Sequence, residues 1–426
     1  MEQLFIIGGN PLFGEVKLSG AKNSLLPILA CCILVEGEVC LKNAVKYNDV
    51  ISMCKILESL GAKTKWEGDD LLIDARFIYS GTVSNELASC VRASIFTLGP
   101  ILARLGVAKV AYPGGCDIGL RPIDLHLSGL RSLGTKIVEK NGYIYAKSDN
   151  NYAGDIMLSF PSVGATENLM MFATGIEGQT RIINPAREPE IVDLPNFINA
   201  CGGDVSGAGS NMIVINGGKK LHGGEYEVIS DRIESGTYMI AVAMCGGKVK
   251  LNNANRQHNG ELISKLSQSA CNFAFEDDNI IVSSKGNPRS LGEIETAVYP
   301  GFPTDLQAQI TALASVSEGY SLIIEKLFES RSKHVGELIK MGAEIFTRNG
   351  IMVVKGKNKL FGAEVSAPDL RGGASLILAG LVAEGYTTID NVQIIDRGYY
   401  KIEDKLSRLG AEIKRIEVEK KGGCCG

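Results

Sequence analysis

The residues best suited to chemistry lie in the stretch AYPGGCDIGLRPIDLHL, residues 111–127. Two glycines precede Cys116, and a Gly-Gly pair permits a turn that leaves a thiol exposed. Arg121 follows five residues later, and a nearby cation raises the thiolate fraction of a cysteine, whereas Asp117 opposes it. A small buried cysteine fits the same residues. The stretch alone therefore leaves a reactive thiol and a structural one equally open.

Composition narrows the class of protein. The chain has 426 residues, 45% of them hydrophobic, which is enough for two cores. Its 44 basic and 48 acidic residues give a net charge of -4, which argues against a nucleic-acid partner. Eleven cysteines without a CxxC framework indicate reduced thiols, and four histidines argue against a histidine metal site. The longest apolar run, residues 25–35, contains Pro27 and is too short for a bilayer. We expect a cytoplasmic two-domain protein without membrane insertion.

Two patterns recur six times along the chain, and the stops of the first lie 68 to 73 residues apart. In the first, an amphipathic helix stops at a small residue and an alternating strand follows. Four of these strands continue into predicted β-hairpins, at residues 63–75, 136–148, 273–284 and 344–356. These stops are Gly61, Gly134, Gly202, Ala270, Gly342 and Gly410. In the second, a helix that is apolar all round, and hence buried, is closed by a glycine and a strand. The closing glycines are Gly37, Gly106, Gly178, Gly247, Gly319 and Gly385. The pattern predicts an α/β protein of six repeats, three in each domain.

Polar residues recur at the predicted starts of the buried helices. They are Lys22, Arg92, Ser162 with Gly164, Asp231 with Arg232, Asp305, and Asp369 with Arg371. N-capping accounts for the serine and the aspartates. It does not account for the cations, which are unfavourable beside the positive end of a helix dipole unless an anion is present. If the helices of each domain run parallel, their starts converge, and we expect a binding cleft there for a multiply charged anion.

Several longer motifs resemble a known family. They are GEVKLSGAKNSLLPIL (14–29), RASIFTLGPILAR (92–104), PGGCDIGLRPIDLHL, PSVGATEN (161–168), AREPEIVDL (186–194), DRIESGTY (231–238), GFPTDLQAQ (301–309), DLRGGASLILAGL and IIDRGY. In this order the chain resembles the enolpyruvyl transferase family, and within it the UDP-N-acetylglucosamine 1-carboxyvinyltransferases. The resemblance implies a two-domain inside-out α/β barrel with parallel helices buried and sheets outside. It places one domain at residues 22–229 and the other at 1–21 with 230–426. The composition of residues 420–426, which lack a periodic pattern, predicts a disordered tail.

The resemblance also implies a reaction. The enolpyruvyl group of phosphoenolpyruvate moves to the 3′-hydroxyl of UDP-N-acetylglucosamine by addition and elimination, releasing phosphate and beginning peptidoglycan precursor synthesis. Neither a cofactor nor a metal is implied. Cys116 matches the general acid and the site of fosfomycin alkylation, and Asp305 matches the residue near the sugar hydroxyl. The anionic groups of phosphoenolpyruvate match four cations, for which an arginine fork is well suited: Lys22, Arg92, Arg121 and Arg397.

Further positions match contacts to the nucleotide sugar. Asn23, Asp305 and Arg331 match sugar and diphosphate contacts, and Leu327 a small apolar contact. The uracil strip corresponds to Arg121, Pro122, Ile123, Asp124 and Leu125, and backbone N–H groups of Ser162, Val163 and Gly164 face the diphosphate. Asp369 and Leu370, at a helix start in the second domain, are expected to fix Lys22 or Arg397. We expect a monomer or a weak homo-oligomer.

Three departures from the family pattern bear on affinity or on the exact acceptor more than on the reaction class. Phe160 and Pro161 replace a lysine near the diphosphate, Ser332 stands in an altered segment around Arg331, and Ile395 replaces a histidine. Two rival functions stay open. One is the sister transferase, 5-enolpyruvylshikimate-3-phosphate synthase, which lacks the PGGC loop and has no use for a nucleotide strip. The other is a non-catalytic paralogue that binds the nucleotide sugar and regulates wall synthesis.

Overall fold

The computed structural model describes residues 2–114, 118–119, 122–269, 271–357 and 359–418. They fall into two compact units. The first unit comprises the described residues of Ser19–Cys116 and Arg121–Asp231, and the second those of Met1–Leu18, Asp117–Leu120 and Arg232–Gly426. The domain ranges given above stay a prediction. No helix within the described ranges is both long enough and apolar enough to span a membrane.

The chain begins with two strands of the second unit, β1 (Glu2–Ile7) and β2 (Leu12–Lys17). The first unit follows with α1 (Lys22–Cys31), β3 (Glu38–Lys42), α2 (Asn48–Leu60), β4 (Lys63–Glu67), β5 (Asp70–Asp74), β6 (Thr82–Val83), α3 (Asn85–Cys90), α4 (Leu98–Leu105), β7 (Val107–Ala111), α5 (Asp124–Ser132), β8 (Lys136–Lys140), β9 (Tyr143–Lys147), β10 (Asp155–Met157), α6 (Val163–Thr174), β11 (Gly178–Ile183), α7 (Pro189–Ala200), β12 (Val205–Ser206), β13 (Met212–Gly217) and β14 (Gly224–Glu227).

The second unit continues with α8 (Arg232–Cys245), β15 (Gly247–Asn252), α9 (Gly260–Gln268), β16 (Asn272–Glu276), β17 (Asn279–Ser284), β18 (Gly292–Glu295), α10 (Gln307–Val316), β19 (Tyr320–Ile324), α11 (His334–Lys340), β20 (Glu344–Arg348), β21 (Ile351–Lys355), β22 (Glu364–Ser366), α12 (Leu370–Val382), β23 (Tyr386–Asp390), α13 (Val392–Ile395), α14 (Ile402–Arg408) and β24 (Glu412–Glu417). Short 3-10 helices occupy Cys32–Leu34, Arg92–Thr97, Arg256–Asn259 and Thr304–Leu306.

The described strands form six separate four-stranded sheets, three in each unit, with one shared plan. A short edge strand runs parallel to the strand after the buried helix. An antiparallel hairpin completes five of the six sheets, and β1 and β24 complete the sixth. The four predicted hairpins are confirmed as β4–β5, β8–β9, β16–β17 and β20–β21. The α/β class and the repeats are therefore confirmed, whereas these sheets do not join into a closed barrel.

Strands distant in sequence complete three of the sheets. In the first unit, β14 pairs in parallel with β3, so the end of that unit closes the sheet of its first repeat. In the second unit, β2 pairs with β15, and β1 lies between β23 and β24. The start of the chain is thus held in the second unit by two sheets.

Turn glycines mark the repeat in the backbone. Gly61, Gly134, Gly202, Gly342 and Gly410 have φ between 92° and 115°, a left-handed conformation that residues with a side chain rarely adopt. Ala270, at the sixth equivalent position, lies outside the described residues. Five of the six closing glycines also have positive φ, and the exception is Gly37.

The six helices predicted to be buried are α1, α4, α6, α8, α10 and α12. Twelve consecutive residues are buried in α8, Ile233–Met244, and twelve in α12, Leu370–Leu381. Such helices have no solvent-facing side, which is why their sequences lack an amphipathic period. The buried-helix prediction is therefore confirmed for most of the length of α1, α6, α8, α10 and α12, whereas α4 is buried only over Leu98–Leu102 and its last three residues are half-buried.

Gly99 at the start of α4 provides a test of the helix packing. An added Cβ there would lie 2.4 Å from the backbone oxygen of Asn168 and 2.5 Å from its Oδ1. We predict that Gly99→Ala lowers the free energy of unfolding by about 1–3 kcal/mol, because α4 and α6 must separate. The matched control is Gly336→Ala in α11, where a Cβ meets nothing within 4 Å, and which should gain about 0.5–1 kcal/mol. Urea unfolding measures both, and equal effects would contradict this packing.

Candidate active site

The structure places the six recurring polar positions at helix starts, as the repeat predicts. Lys22 is the first residue of α1 and Arg232 the first of α8. Arg92 opens the 3-10 helix before α4, and Asp305 lies in the 3-10 helix before α10. Ser162 and Asp369 cap α6 and α12 by accepting hydrogen bonds from backbone N–H groups.

Asp305 is the centre of an ionic network in the second unit. Its Oδ1 accepts a hydrogen bond from Arg331 Nη2 at 2.6 Å, and its Oδ2 accepts one from Arg371 Nη2 at 2.9 Å. The two arginine side chains are only 4% and 3% exposed. Buried guanidinium groups need a charged partner, so the carboxylate fixes both arginines and they fix its orientation.

A second layer of polar groups supports Arg331. Its Nη1 donates to Thr304 Oγ1 at 2.8 Å, and that hydroxyl donates to Glu325 Oε2 at 2.8 Å. The other oxygen of Glu325 accepts the backbone N–H groups of Leu327, at 2.8 Å, and Phe328, at 3.1 Å. Leu327 and Arg331, predicted to contact the nucleotide sugar, are therefore positioned by one carboxylate. Sequence reasoning missed Glu325, although Thr304 lies in the quoted motif GFPTDLQAQ.

Arg371 connects this network to the segment that carries Arg397. Its guanidinium lies 5.4 Å from the centre of the Tyr399 ring, a favourable cation–π distance. The buried Tyr399 hydroxyl lies 2.8 Å from Thr237 Oγ1 and accepts from Gln309 Nε2 at 3.0 Å. Arg397, two residues earlier, is half-buried. The structure thus brings Asp305, Arg331 and the Arg397 segment together, with Asp369 and Leu370 at the start of α12.

Lys22 has a different set of partners, in the first unit. Its Nζ pairs with Asp49 Oδ2 at 3.3 Å, and its backbone N–H donates to Asp231 Oδ2 at 3.3 Å. Asn23 follows and is half-buried. Sequence reasoning missed Asp49, on α2, since nothing in the sequence shows that α2 packs against the start of α1. The predicted role of Asp369 or Leu370 in fixing Lys22 or Arg397 stays a prediction.

The predicted uracil and diphosphate strips lie at adjoining helix starts in the first unit. Pro122 and Asp124 are exposed, Ile123 is buried and Leu125 is half-buried at the start of α5. Ser162, Val163 and Gly164 are half-buried at the start of α6. A Cβ on Gly164 would lie 3.1 Å from His126 Nε2, so the absence of a side chain allows the helices to approach closely.

His126 is a third residue that the sequence did not single out. It is buried on α5, and its Nδ1 lies 3.0 Å from Asn168 Nδ2 on α6. Asn168 Oδ1 accepts from the Gly99 N–H at 2.7 Å, so the nitrogen of this amide faces the ring. The amide therefore donates to Nδ1, which leaves the proton of a neutral His126 on Nε2.

The PGGC loop is described only at its ends. Cys116, Asp117 and Arg121 lie outside the described residues. Arg92 Nη1 lies 3.5 Å from the backbone oxygen of Pro113, the first residue of the loop, and the Gly114 N–H donates to Ala88 O at 3.0 Å. The described part of the chain contains no group of three or more His, Cys, Asp or Glu side chains that could hold a metal ion.

Comparison with known proteins identifies the class. Residues 6–406 match the family EPSP synthase (3-phosphoshikimate 1-carboxyvinyltransferase). The chain belongs to this family of enolpyruvyl transferases, as its motifs predict.

Curated relatives have more specific names than the matching family. The chain is 46% identical over 416 residues to UDP-N-acetylglucosamine 1-carboxyvinyltransferase 2 of Caldanaerobacter subterraneus subsp. tengcongensis, covering 98% of this chain and 100% of that protein. It is 45% identical over 422 residues to UDP-N-acetylglucosamine 1-carboxyvinyltransferase 2 of Staphylococcus saprophyticus, with coverages of 98% and 100%. It is 44% identical over 418 residues to UDP-N-acetylglucosamine 1-carboxyvinyltransferase of Coxiella burnetii, with coverages of 98% and 96%.

Solved structures share the fold at lower identity. The enolpyruvyl transferase NikO from Streptomyces tendae superposes with a TM-score of 0.87 at 23% identity, covering 97% of this chain and 98% of that one. EPSP synthase from Acinetobacter baumannii gives a TM-score of 0.73 at 19% identity, with coverages of 98% and 100%.

Asp193, in the quoted motif AREPEIVDL, gives a pH-dependent test of the helices behind the Lys22 site. It lies on α7, which packs against α1, is 1% exposed and accepts a 2.5 Å hydrogen bond from the Tyr226 hydroxyl. Burial raises the pKa of Asp193 from 3.8 to about 6. The native state therefore keeps a proton that the unfolded chain loses between about pH 4 and pH 6, and this contribution to stability declines as pH rises.

We predict that Asp193→Asn removes this decline, since an amide does not titrate and can still accept from Tyr226. The variant should gain stability relative to the wild type by about 3 kcal/mol between pH 4 and pH 7. Urea unfolding at several pH values measures the difference, with the exposed Asp155→Asn as the control. A difference that does not change with pH would refute the buried-acid assignment.

Proposed function

We propose that this protein is a UDP-N-acetylglucosamine 1-carboxyvinyltransferase, which moves the enolpyruvyl group of phosphoenolpyruvate to the 3′-hydroxyl of UDP-N-acetylglucosamine in peptidoglycan precursor synthesis. The observation that carries the proposal is 44–46% identity, over 97–98% of this chain, to relatives with that name. The arrangement around Asp305 and Lys22 supports it.

The reaction has two balanced steps. In the addition, the sugar oxygen bonds to C2 of phosphoenolpyruvate, its proton leaves, and C3 gains a proton to become a methyl group. In the elimination, C3 loses a proton and the C2–phosphate bond breaks, so inorganic phosphate leaves and the enol ether remains. The enzyme must therefore supply a base, an acid and positive charge for the phosphate and carboxylate.

Asp305 suits the role of the group that receives the hydroxyl proton. The two guanidinium partners fix the direction of the carboxylate in the 3-10 helix before α10. Its side chain is 26% exposed, so a substrate hydroxyl can approach. We assign the general acid to Cys116 and the phosphoenolpyruvate contacts to Lys22, Arg92, Arg121 and Arg397.

The remaining assignments concern binding and architecture. We propose that Asn23, Arg331 and Leu327 contact the sugar and diphosphate, that residues 121–125 hold the uracil, and that the N–H groups of residues 162–164 bind the diphosphate. Helix N-termini bind such anions well. We propose that Asp369 and Leu370, at the start of α12, fix Lys22 or Arg397. We propose that the two domains, residues 22–229 and 1–21 with 230–426, are inside-out α/β barrels in the sense that helices lie inside and separate sheets outside, in a cytoplasmic monomer or weak homo-oligomer.

Phosphate release separates this function from its rivals. The purified protein is incubated with phosphoenolpyruvate and either UDP-N-acetylglucosamine or shikimate 3-phosphate, and inorganic phosphate is measured. We expect release only with the nucleotide sugar. Release with shikimate 3-phosphate alone would identify the sister transferase, and release with neither would favour the non-catalytic paralogue.

A substitution tests the role of Asp305. We predict that Asp305→Asn lowers kcat for phosphate release by about 10²-fold to 10⁴-fold, because the amide cannot take the proton. Asp155→Asn is the control. Asp155, like Asp305, accepts two hydrogen bonds from guanidinium groups, here both from Arg181, but it lies on edge strand β10. Circular dichroism verifies that both variants are folded. A folded Asp305→Asn variant with wild-type kcat would exclude this residue as the base.

A further inference from the structure

Strand β24 carries an arginine whose guanidinium joins three acidic residues of the second unit. Arg415 Nη2 donates to Asp396 Oδ1 at 2.7 Å, and Nη1 donates to Asp396 Oδ2 at 2.9 Å. Its Nε donates to Glu403 Oε1 at 2.7 Å, and Nη1 also reaches Glu2 Oε2 at 2.9 Å. A paired contact of this kind fixes direction as well as distance, because the guanidinium is planar.

The acidic partners bracket a short connection. Asp396 directly follows α13, and Glu403 lies in the first turn of α14. Arg397 lies between them, so one guanidinium restrains both ends of the segment that carries it. Lys401 in the same segment has a φ of +46°, a left-handed conformation that is uncommon for lysine. Such a backbone persists where surrounding contacts hold it.

A second anchor lies on the other side of Arg397. Tyr399 is 1% exposed, with its hydroxyl bonded to Gln309 and its ring beside the Arg371 guanidinium. Arg397 is therefore confined between an ion pair at residue 396 and a buried ring at residue 399. The ring is fixed from the Asp305 network, and the ion pair is fixed from β24.

We propose that Arg415 is a positioning residue for Arg397, and so sets how well the site binds the anionic groups of phosphoenolpyruvate. This inference rests on the proposed function, in which Arg397 contacts that substrate. Arg415 acts through Asp396 and Glu403 and does not itself contact substrate. Its removal leaves the two carboxylates without this counter-charge and frees the backbone on one side of Arg397.

The test is Arg415→Met, which keeps most of the apolar part of the side chain and removes the guanidinium group. We expect the KM for phosphoenolpyruvate to rise about tenfold or more, while the KM for UDP-N-acetylglucosamine stays within twofold of the wild type. Arg415→Lys keeps the charge without the paired geometry and should restore the KM only in part. Arg181→Met is the control, since Arg181 makes an equivalent paired contact with Asp155 in the first unit and should leave both KM values unchanged.

A second variant tests the same contact in case the first one is unfolded. If Arg415→Met does not fold, Asp396→Asn weakens the same contact and should raise the same KM selectively. Equal changes in both KM values, or lower thermal stability with wild-type kinetics, would show that Arg415 only ties β24 to its neighbours. That result, with an active wild type, overturns the positioning role and leaves the proposed function intact.

Amide hydrogen exchange provides a readout that does not depend on activity. The peptide containing residues 396–402 should exchange faster in Arg415→Met than in the wild type, whereas peptides from the first unit should not change. Unchanged exchange would overturn the proposal even if the wild type released no phosphate. An inactive wild type with faster exchange would refute the proposed function and keep the restraint on the segment.

Discussion

The pairing of one aspartate with two buried arginines organises the candidate site of the second unit. Asp305 lies at the start of α10, Arg371 at the start of α12, and Arg331 shortly before α11. Neither guanidinium is stable in the interior without the carboxylate, and the carboxylate has one direction once both are bound. Arg371, once fixed, lies against the ring of Tyr399. This contact sets the position of the segment that carries Arg397.

Repetition explains why the fold could be predicted so far from sequence. Hairpins, left-handed turn glycines and fully buried helices are local, and each leaves a pattern within about twenty residues. The strands that complete a sheet from far away leave no such pattern. Nothing in residues 224–227 shows that they pair with β3, and nothing in β2 shows that it pairs with β15. The pairing of distant strands that completes these sheets is therefore visible only in the structure.

The residues of the candidate site show the same difference between local patterns and contacts across long distances in the sequence. Lys22, Asp305 and Arg397 could be named from helix starts and motifs, because their residue types stand out where an anion is expected. Their supporting residues could not be named, because Asp49 is 27 residues from Lys22 and Glu325 is 21 residues from its partner Thr304. Arg415 is separated from Asp396 by 19 residues and from Glu2 by 413. Such contacts depend on how elements pack, which a single sequence does not encode locally.

The cysteines show how burial separates structural from reactive thiols. Burial raises the pKa of Cys31 and Cys32 well above the ordinary value, so these thiols stay protonated and unreactive. Both lie in the first unit at the end of α1, where they fill the core. The chemistry proposed here therefore uses a cysteine in a glycine-rich loop and leaves the core thiols a packing role.

The most direct measurement of the central claim is a double-mutant cycle at Asp305 and Arg371, read by urea unfolding. Asp305→Asn and Arg371→Met are measured singly and together. If the two groups are a buried pair, each single variant loses several kcal/mol, and the double variant loses little more than either, with a coupling energy of about 2 kcal/mol or more. Single effects that add to within about 0.5 kcal/mol would contradict the account.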